Sequence, residues 1–487
     1  MSAMAFRLTG ETAWRDASHR LAAGEADLVS LWGDEGRICM AIRESNGALA
    51  LVDVACEGGS FPSVAAVHPP ASRLERSACD LFGFIAAGAR DDRRWLDHGR
   101  WPLRHPLGRT HAHDGAPDRY AFLEADGPGL HQIPVGPVHA GIIEPGHFRF
   151  HAGGEAVVRL EERLGYVHKG VDALMRGAGV ERAAVLAARV SGDSTIAYGV
   201  AFARAVEDAL GFEPPPRAQA LRGVMAELER IANHFGDVGA ICNDAAFALM
   251  HAHCGVLRER TLRAAKVALG HRLMMDAVVP GGVAADLTAE GVEAILALVR
   301  EVRKTFPKLV QLYDNTASLQ DRTVGTGIVK GELARAYGAG GVVGRASGRD
   351  FDARRDHPYP PYDGLAFTVP TRRAGDVNAR IWIRIEEVGV SLDLIETMLA
   401  RLPGGPARAA APQARGPREG FALVEAFRGD VFAHVRLGED GAVARCHLRD
   451  ASWFQWPLLE AAIEGNIVAD FPLCNKSFNC SYSGCDL

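Results

Sequence analysis

The amino-acid sequence predicts an α+β protein, with a small N-terminal α/β domain followed by a mainly helical body that carries antiparallel β hairpins. Three observations support this fold class. Short apolar runs bounded by glycine or polar residues occur within residues 1–110. Apolar residues then recur with helical spacing between residue 135 and about residue 400. After residue 418 the period changes to two, which is typical of strands.

The N-terminal part contains two predicted strands and one predicted helix. The runs 28–32 (LVSLW) and 48–54 (ALALVDV) are short and apolar and are bounded by turn residues, as strands usually are. A helix is predicted over 73–83, because this segment follows two prolines and ends at a glycine. The stretch 109–117 is polar and contains glycine. We therefore place a domain boundary there and assign residues 1–112 to the first domain.

The body, assigned to residues 130–487, contains four predicted helices. Residues 217–238 show the i, i+3, i+4, i+7 apolar stripe of a helix that faces a core. The other predicted helices cover 256–274, a segment that begins after Thr288, and 377–402. Thr288 is a suitable N-cap residue. Pro307 is expected to kink or end the helix that begins there.

The C-terminal part predicts a β-hairpin. Residues 404–418 are rich in proline, alanine, glycine and arginine and are expected to form an exposed loop. After the loop, 430–437 and 442–448 alternate in polarity around a turn that contains Gly441. The hairpin is therefore predicted to follow the helical body.

Composition excludes several classes of function. The net charge of −6 argues against nucleic acid as a partner. The N-terminus shows no basic region followed by an apolar run, so no secretory signal is predicted, and no stretch reaches the roughly 18 apolar residues of a membrane span. Nine cysteines are scattered without a CxxC pair, which favours reduced thiols over a disulfide framework.

One distinctive string covers residues 136–148 (GPVHAGIIEPGHF). Its glycines and prolines predict an irregular loop that can approach another surface closely. His139 and Glu144 lie near each other in this string, and a histidine beside a carboxylate suits proton transfer in a shielded place. Taken without further context, any one polar residue in such a string is more often structural than catalytic.

This string and 160–170 (LEERLGYVHKG) resemble the large subunit of energy-converting nickel–iron hydrogenases of the formate hydrogenlyase and hydrogenase-4 type. The homologous complex I 49-kDa subunit uses the same region for part of its quinone pocket. Further strings that resemble this family are 220–233 (ALRGVMAELERIAN), 345–362 (RASGRDFDARRDHPYPPY), 425–430 (EAFRGD) and 444–456 (ARCHLRDASWFQW). Upstream, 61–63, 75–83 and 99–107 resemble the complex I 30-kDa subunit, fused ahead of the large subunit.

The chain departs from these hydrogenases at the cysteines. Two CxxC motifs of the family supply four thiolates to nickel and iron, and such a centre requires soft ligands. In this chain, Ser191 and Ser194 occupy the cysteine positions of the first motif. Alignment of the second motif places Ser481 and Gly484 at its cysteine positions. The terminal cysteines, Cys480 and Cys485, are each one residue away. The resemblance therefore implies that this chain holds no metal, and the alternative is a remodelled metal site that uses Cys474, Cys480 and Cys485.

The resemblance also implies which residues surround the inherited site. Asp193, close to the old ligand positions, is predicted to be catalytic together with His139 and Glu144. The residues predicted to line the pocket are Ser191, Ser194, Arg189, Arg345, Asp350, Cys480 and Cys485. For the charged stretch that contains Arg345 and Asp350, a surface charge network is the alternative.

These predictions lead to one preferred function and three alternatives. The preferred function is a peripheral-arm subunit of a membrane-bound, ion-translocating oxidoreductase complex, on the cytoplasmic face of the inner membrane. Its electrons are expected to come from an iron–sulfur cluster in a small partner subunit, beside antiporter-like membrane subunits, because this chain has no cysteine set of its own for a cluster. The alternatives are an NADH:quinone oxidoreductase subunit that binds quinone, a non-catalytic scaffold, and an active hydrogenase, which the missing thiolates disfavour. Against the quinone subunit, Gly192 stands where complex I has its quinone tyrosine.

Overall fold

The N-terminal part is built on a four-stranded mixed sheet. The computed structural model describes residues 6–112, 119–139, 143–412, 414 and 416–487. The elements of this part are β1 (Phe6–Thr9), α1 (Glu11–Ala23), β2 (Ala26–Asp34), β3 (Arg37–Glu44), β4 (Leu49–Ala55), β5 (Ser60–Pro62), α2 (Ser72–Phe82), β6 (Ile85–Ala87), β7 (Leu103–Arg104) and β8 (His111–Ala112). The sheet order is β1-β4-β3-β2, in which β1 runs parallel to β4 and the other pairs are antiparallel.

The two predicted strands and the predicted helix of this part correspond to β2, β4 and α2. Gly83 ends α2 in the left-handed conformation, with φ of 77°, which glycine adopts without strain. The prediction missed β1, α1 and β3. Helix α1 is polar except for a stripe that includes Trp14 and Leu21, both buried, so its apolar signal in the sequence is weak. The predicted linker at 109–117 lies partly outside the described residues.

A three-stranded sheet and a set of helices form the body. The sheet order is β11-β10-β9. The elements are β9 (Leu130–Val135), β10 (His147–Gly153), β11 (Ala156–Arg163), α3 (Val171–Met175), α4 (Val180–Ala188), α5 (Thr195–Leu210), α6 (Pro216–Asp244), α7 (Ala248–Leu269), β12 (Val278–Val279), β13 (Gly282–Val283), α8 (Ala289–Asn315), α9 (Ala317–Thr323), α10 (Gly331–Ala336), α11 (Gly341–Ala346), α12 (Ala353–Asp356) and α13 (Val377–Ala400).

The four predicted helices of the body correspond to α6, α7, α8 and α13, although α7 begins and ends several residues earlier than predicted. Thr288 caps α8 as expected, because its hydroxyl accepts a hydrogen bond of 3.0 Å from the Gly291 amide. Helix α8 continues past Pro307 to Asn315, so the expectation that this proline could end the helix is wrong. Pro307 is exposed, so its ring lies on the solvent side and packs against no neighbouring element.

The C-terminal part contains the predicted hairpin within a three-stranded antiparallel sheet. Its elements are β14 (Arg418–Glu425), β15 (Asp430–Leu437), β16 (Val443–Arg449), α14 (Ser452–Ile463) and α15 (Phe471–Phe478). The predicted strands correspond to β15 and β16, whereas β14 was missed. Because α5 packs along β14 and β15, this sheet covers one side of the helical body.

Two hydrophobic cores explain how the parts are joined. The larger core packs α5, α6, α7, α8 and α13 against the C-terminal sheet. The second core combines Trp14 and Phe61 of the N-terminal part with Phe148 of β10 and Trp456 of α14. The second core therefore contains residues from both sides of the predicted domain boundary near residue 112. The α+β fold class, with a helical body and antiparallel sheets, is confirmed.

Candidate functional site

Four segments that are distant in sequence enclose a polar hollow of about 300 Å³. They are the loop between β9 and β10, the turn before α5, the loop between β14 and β15, and the segment from the end of α15 to the C-terminal residues. The residues that line the hollow are Ile143, Glu144, Ser191, Gly192, Asp193, Arg428, Asn475, Lys476, Asn479, Cys480, Ser481 and Tyr482. Four of the predicted site residues, Glu144, Ser191, Asp193 and Cys480, are thus brought together.

Asp193 and Arg428 form an ion pair in the wall of the hollow. The Arg428 guanidinium donates hydrogen bonds of 2.9 and 2.6 Å to the two Asp193 carboxylate oxygens, and its Nε donates to the Asn479 carbonyl at 2.5 Å. Desolvation alone raises the pKa of Asp193. The Arg428 charge and the hydrogen bonds that Asp193 accepts outweigh it and lower this pKa to about 2. Asp193 is therefore a stable anion at neutral pH.

Ser191 and Ser194, which were predicted to stand at ligand positions of the family, form hydrogen bonds with this ion pair. Ser191 donates a hydrogen bond of 2.5 Å to Asp193, and Ser194 donates one of 3.2 Å to the same oxygen. Ser194 also accepts a hydrogen bond of 2.9 Å from Arg428. Ser194 supports the ion pair from behind and does not itself line the hollow.

Glu144 reaches the hollow from the opposite side. One of its carboxylate oxygens accepts hydrogen bonds from the backbone amide and the hydroxyl of Ser483, at 3.1 and 3.2 Å. The loop between β9 and β10 is thereby attached to the C-terminal segment. The carboxylate stays partly accessible and has further acceptor capacity for a donor in the hollow.

His139 lies just outside the lining of the hollow. Its ring centroid is 5.3 Å from that of Phe148 and 6.3 Å from that of Tyr482. Burial, with a further contribution from Lys476, lowers the pKa of His139, so the imidazole is neutral at pH 7. Its Nε2 atom is buried and has no hydrogen-bond partner among the described residues. Residues 140–142, which follow it in the same loop, lie outside the description.

The terminal cysteines differ in their access to the hollow. Cys480 lines it, with its sulfur 3.9 Å from the Gln455 amide oxygen, whereas Cys485 is completely buried. Burial raises the pKa of both thiols, so both are protonated at neutral pH. Within the part of the chain that the structure describes, no group of three or more His, Cys, Asp or Glu side chains is arranged to hold a metal ion.

Gly484 has no room for a side chain. A Cβ atom at this position would lie 2.8 Å from the Asp450 Cβ and 2.8 Å from the Tyr198 hydroxyl. These two neighbours are fixed, because Tyr198 donates a hydrogen bond of 2.9 Å to the Asp450 carboxylate. A cysteine at position 484 would therefore require both to move.

Three residues predicted to line the pocket lie elsewhere. Arg189 is half-exposed and pairs with Asp276 on the surface. The Asp350 side chain is 61% exposed and pairs with Arg355, so for Asp350 the alternative of a surface charge network fits the structure. Arg345 is fully buried, but inside the protein and not at the hollow. The charged stretch that contains Arg345 and Asp350 therefore does not line the hollow.

Arg345 belongs to a buried ionic network behind the hollow. It donates to Glu387 and, at 2.9 Å, to Glu425. Glu387 also bonds His234 Nε2 at 2.6 Å. The network continues through the buried side chains of Arg230, Glu227, Arg354 and Asp352. Because each of these charges has a partner of opposite sign, the network fixes α6, α11, α12 and α13 relative to one another.

Arg428, Lys476, Asn479 and Tyr482 are lining residues that sequence reasoning did not select. A signal existed for Arg428, because it lies in the string 425–430 that resembles the family. The other three lie near the C-terminus, where the prediction considered only the positions of the cysteines and not the side chains between them. Their contribution depends on how α15 ends, at Asn479 in the left-handed conformation.

Comparisons with known proteins agree with this architecture. The model of the respiratory-chain NADH dehydrogenase 30 Kd subunit matches residues 35–116, and that of the 49 Kd subunit matches residues 244–420. Formate hydrogenlyase subunit 5 of Escherichia coli (strain K12) is 32% identical over 445 residues, covering 89% of this chain and 78% of that protein. Hydrogenase-4 component G of the same organism is 33% identical over 447 residues, covering 90% and 77%. The chain belongs to this family of oxidoreductase-complex subunits.

Within this family, the chain fuses a 30 Kd-like and a 49 Kd-like region. A solved archaeal respiratory complex, the membrane-bound sulfane sulfur reductase, contains a chain with the same fold. The TM-score is 0.69 at 24% identity, and the match covers 74% of this chain and 99% of that one. In the described part of this chain, every helix is too short or too polar to cross a membrane.

Proposed function

We propose that this chain is the peripheral large subunit of a membrane-bound, ion-translocating oxidoreductase complex in which the hollow no longer holds a nickel–iron centre. The observation that carries the proposal is the hollow itself. It lies where the family strings 136–148 and 189–194 meet the C-terminal segment, and hydrogen-bonding side chains line it in place of a set of thiols.

The side chains around the hollow do not fit a nickel–iron centre. Such a centre needs several thiolates, because hard oxygen ligands do not stabilise its redox states. Cys480 offers a single thiol at the hollow, while Ser191 and Ser194 use their hydroxyls to support Asp193. The closed space at Gly484 supports the same conclusion. We therefore infer no reaction step through a bound metal.

The remaining side chains suit proton handling beside an electron carrier. Glu144 and Asp193 are both carboxylates of the lining, and the neutral His139 lies in the same loop as Glu144. Because Arg428 holds Asp193 as an anion, Glu144 and His139 are the groups that could pass a proton to an acceptor reduced nearby. The electrons would come from an iron–sulfur cluster in a small partner subunit.

The proposed partners and location follow from the family. The relatives are components of formate hydrogenlyase, of hydrogenase-4 and of named membrane-bound complexes. We propose that a small iron–sulfur subunit covers the hollow, and that antiporter-like membrane subunits attach the chain to the cytoplasmic face of the inner membrane. Because this chain shows no membrane-spanning helix where it is described, those partners would provide the attachment.

A quinone acceptor is the second candidate. It is favoured by His139, whose buried Nε2 has no partner among the described residues and whose ring is next to Phe148 and Tyr482. A neutral imidazole beside aromatic rings could hydrogen-bond a quinone oxygen. Quinone reduction by the purified complex, lost in His139→Ala, would distinguish this acceptor from a soluble one.

Metal analysis of the purified complex tests the main proposal. We expect nickel only at trace level, and a stoichiometric amount of nickel per chain would overturn the metal-free hollow. A second experiment replaces His139 and Glu144 with alanine and measures turnover of the assembled complex. His131→Ala, at an exposed position of β9, and Glu155→Ala, in the exposed turn between β10 and β11, are the matched controls. Unchanged turnover in the first pair would leave only a scaffold role.

A further inference from the structure

A second, larger cavity lies at the other end of α5. It is a groove of about 1000 Å³ between the C-terminal end of α5, the beginning of α6, the segment 356–365 and β14. Helix α5 begins beside the hollow and ends at this groove, a distance of about 24 Å at 1.5 Å per residue. The groove is therefore separate from the proposed redox site.

Arg204 of α5 lies in the wall of this groove. Its guanidinium carbon is 5.0 Å from the centroid of the Tyr359 ring, over the face of that buried side chain. Tyr359 is itself fixed, because its oxygen accepts a hydrogen bond of 3.0 Å from the Glu425 amide. The Nε atom of Arg204 has no solvent contact and no acceptor among the described residues.

The acidic neighbours of Arg204 are used elsewhere. Glu207 accepts two hydrogen bonds from Arg222, at 2.9 and 2.6 Å, and one from the Gly281 amide at 2.8 Å. Asp208 stands four residues after Arg204 on the same helix, but its carboxylate accepts the Phe421 amide at 3.1 Å. Arg204 is thus a partly buried cation that has no carboxylate within ion-pair distance in the part of the chain that the structure describes. Burial lowers its pKa, and Glu207 and Asp208 act on its charge only from a greater distance.

Three buried arginines of this protein each pair with an anion, and the buried Arg380 is satisfied by the Ser477 hydroxyl and two carbonyl oxygens. Arg222 pairs with Glu207, Arg345 with Glu425, and Arg428 with Asp193. A buried charge without such a partner costs folding free energy, and a bound anion offsets that cost. A carboxylate suits the guanidinium best, because the two planar groups form paired hydrogen bonds.

The walls of the groove indicate what carries the carboxylate. Several prolines and the side chains of Phe212, Leu365, Met398 and Phe421 line it, so an apolar body would be buried beside the charge. Of the remaining acids in the lining, Glu213 and Asp363 are exposed and keep their hydration, and Asp356 pairs with Arg355. Arg401 adds a second cation to the lining. We propose that this groove binds a small carboxylate with an apolar or aromatic body, with Arg204 as the residue that holds the carboxylate.

Calorimetric titration of the full-length chain with phenylacetate tests this site. We expect saturable binding that Arg204→Gln weakens by about 30-fold or more, as loss of a desolvated charge partner does. Arg300→Gln, an exposed arginine on α8, is the control and should bind normally. The neutral analogue phenylacetamide should not bind. Absence of phenylacetate binding, or equal binding by Arg204→Gln, would overturn the proposal.

Two further measurements distinguish the source of any effect. Inorganic phosphate is the second probe, and if it binds as tightly as phenylacetate, the apolar walls contribute nothing and the proposed class of ligand is wrong.

Thermal unfolding separates ligand binding from folding. Arg204→Gln should leave Tm unchanged or raise it, whereas Arg222→Gln, which leaves Glu207 unpaired, should lower it. An equal fall of Tm in both variants would make Arg204 a structural residue and overturn the site.

Discussion

Arg428 donates two hydrogen bonds to Asp193, at 2.9 and 2.6 Å, and so joins the loop after β14 to the turn before α5. Both residues line the hollow, at positions that lie 235 residues apart in the chain. The contact holds the Asp193 carboxylate as an anion in the wall of the hollow.

Asp193→Asn is expected to destabilise the protein. The change leaves the buried Arg428 without its anion, and removal of one partner of a buried pair costs about 3–5 kcal/mol. Because Asp193 is partly exposed, we expect a value nearer to about 2 kcal/mol. Chemical denaturation measures it. Asp276→Asn breaks a half-exposed pair with Arg189 and should change the free energy of unfolding by less than about 1 kcal/mol. Equal effects of the two variants would contradict the prediction.

The same pair predicts how stability depends on acid. The pKa of Asp193 is lowered to about 2 in the folded protein, below its value in the unfolded chain. The contribution of this group is therefore complete above pH 4 and is lost as the pH falls from about 4 to about 2. The free energy of unfolding, measured by chemical denaturation at several pH values in this range, should change less with pH in Asp193→Asn than in the parent chain. A parallel pH dependence in the two proteins would show that Asp193 is not the group that titrates.

Glu387→Gln should be among the most damaging single changes. Glu387 is fully buried and bonds Arg345 and His234, so its loss leaves charge uncompensated in the network. We expect a loss of about 3–5 kcal/mol in the free energy of unfolding. Glu386→Gln is the matched control, because the neighbouring residue pairs with Arg372 at the surface and should cost less than about 1 kcal/mol. Chemical denaturation checks the prediction, because the midpoint of Glu387→Gln should be lower than that of Glu386→Gln.

Gly484→Cys is expected to disturb the C-terminal segment and not to create a ligand. The new Cβ would lie 2.8 Å from the Asp450 Cβ and the Tyr198 hydroxyl, and overpacking of this kind costs about 1–3 kcal/mol. Gly364→Ala, where a Cβ meets no atom within 4 Å, serves as control. Thermal unfolding compares the two variants. A Gly484→Cys protein as stable as its parent, with stoichiometric nickel bound, would contradict both the packing argument and the metal-free hollow.

Much of the fold could be predicted from local patterns. The stripe over 217–238 identified α6, and Thr288 identified the beginning of α8, because helical periodicity and caps are local properties. The alternation after residue 418 identified β15 and β16. By contrast, β1 and β14 each depend on strands from other parts of the sheet, and their own residues give little signal. Pro307 was misjudged because its exposed position on α8 cannot be seen in sequence.

The sequence by itself determined the family and the fold class, since these follow from the order and identity of residues. Only the tertiary structure decided that Asp193 has Arg428 as its partner, that Asp350 faces solvent, and that Arg204 faces a groove with no counter-ion among the described residues. The physical reason is the same in each case. The sequence specifies which side chains are ionisable. The solvation and the partner of each charge depend on segments that folding brings together.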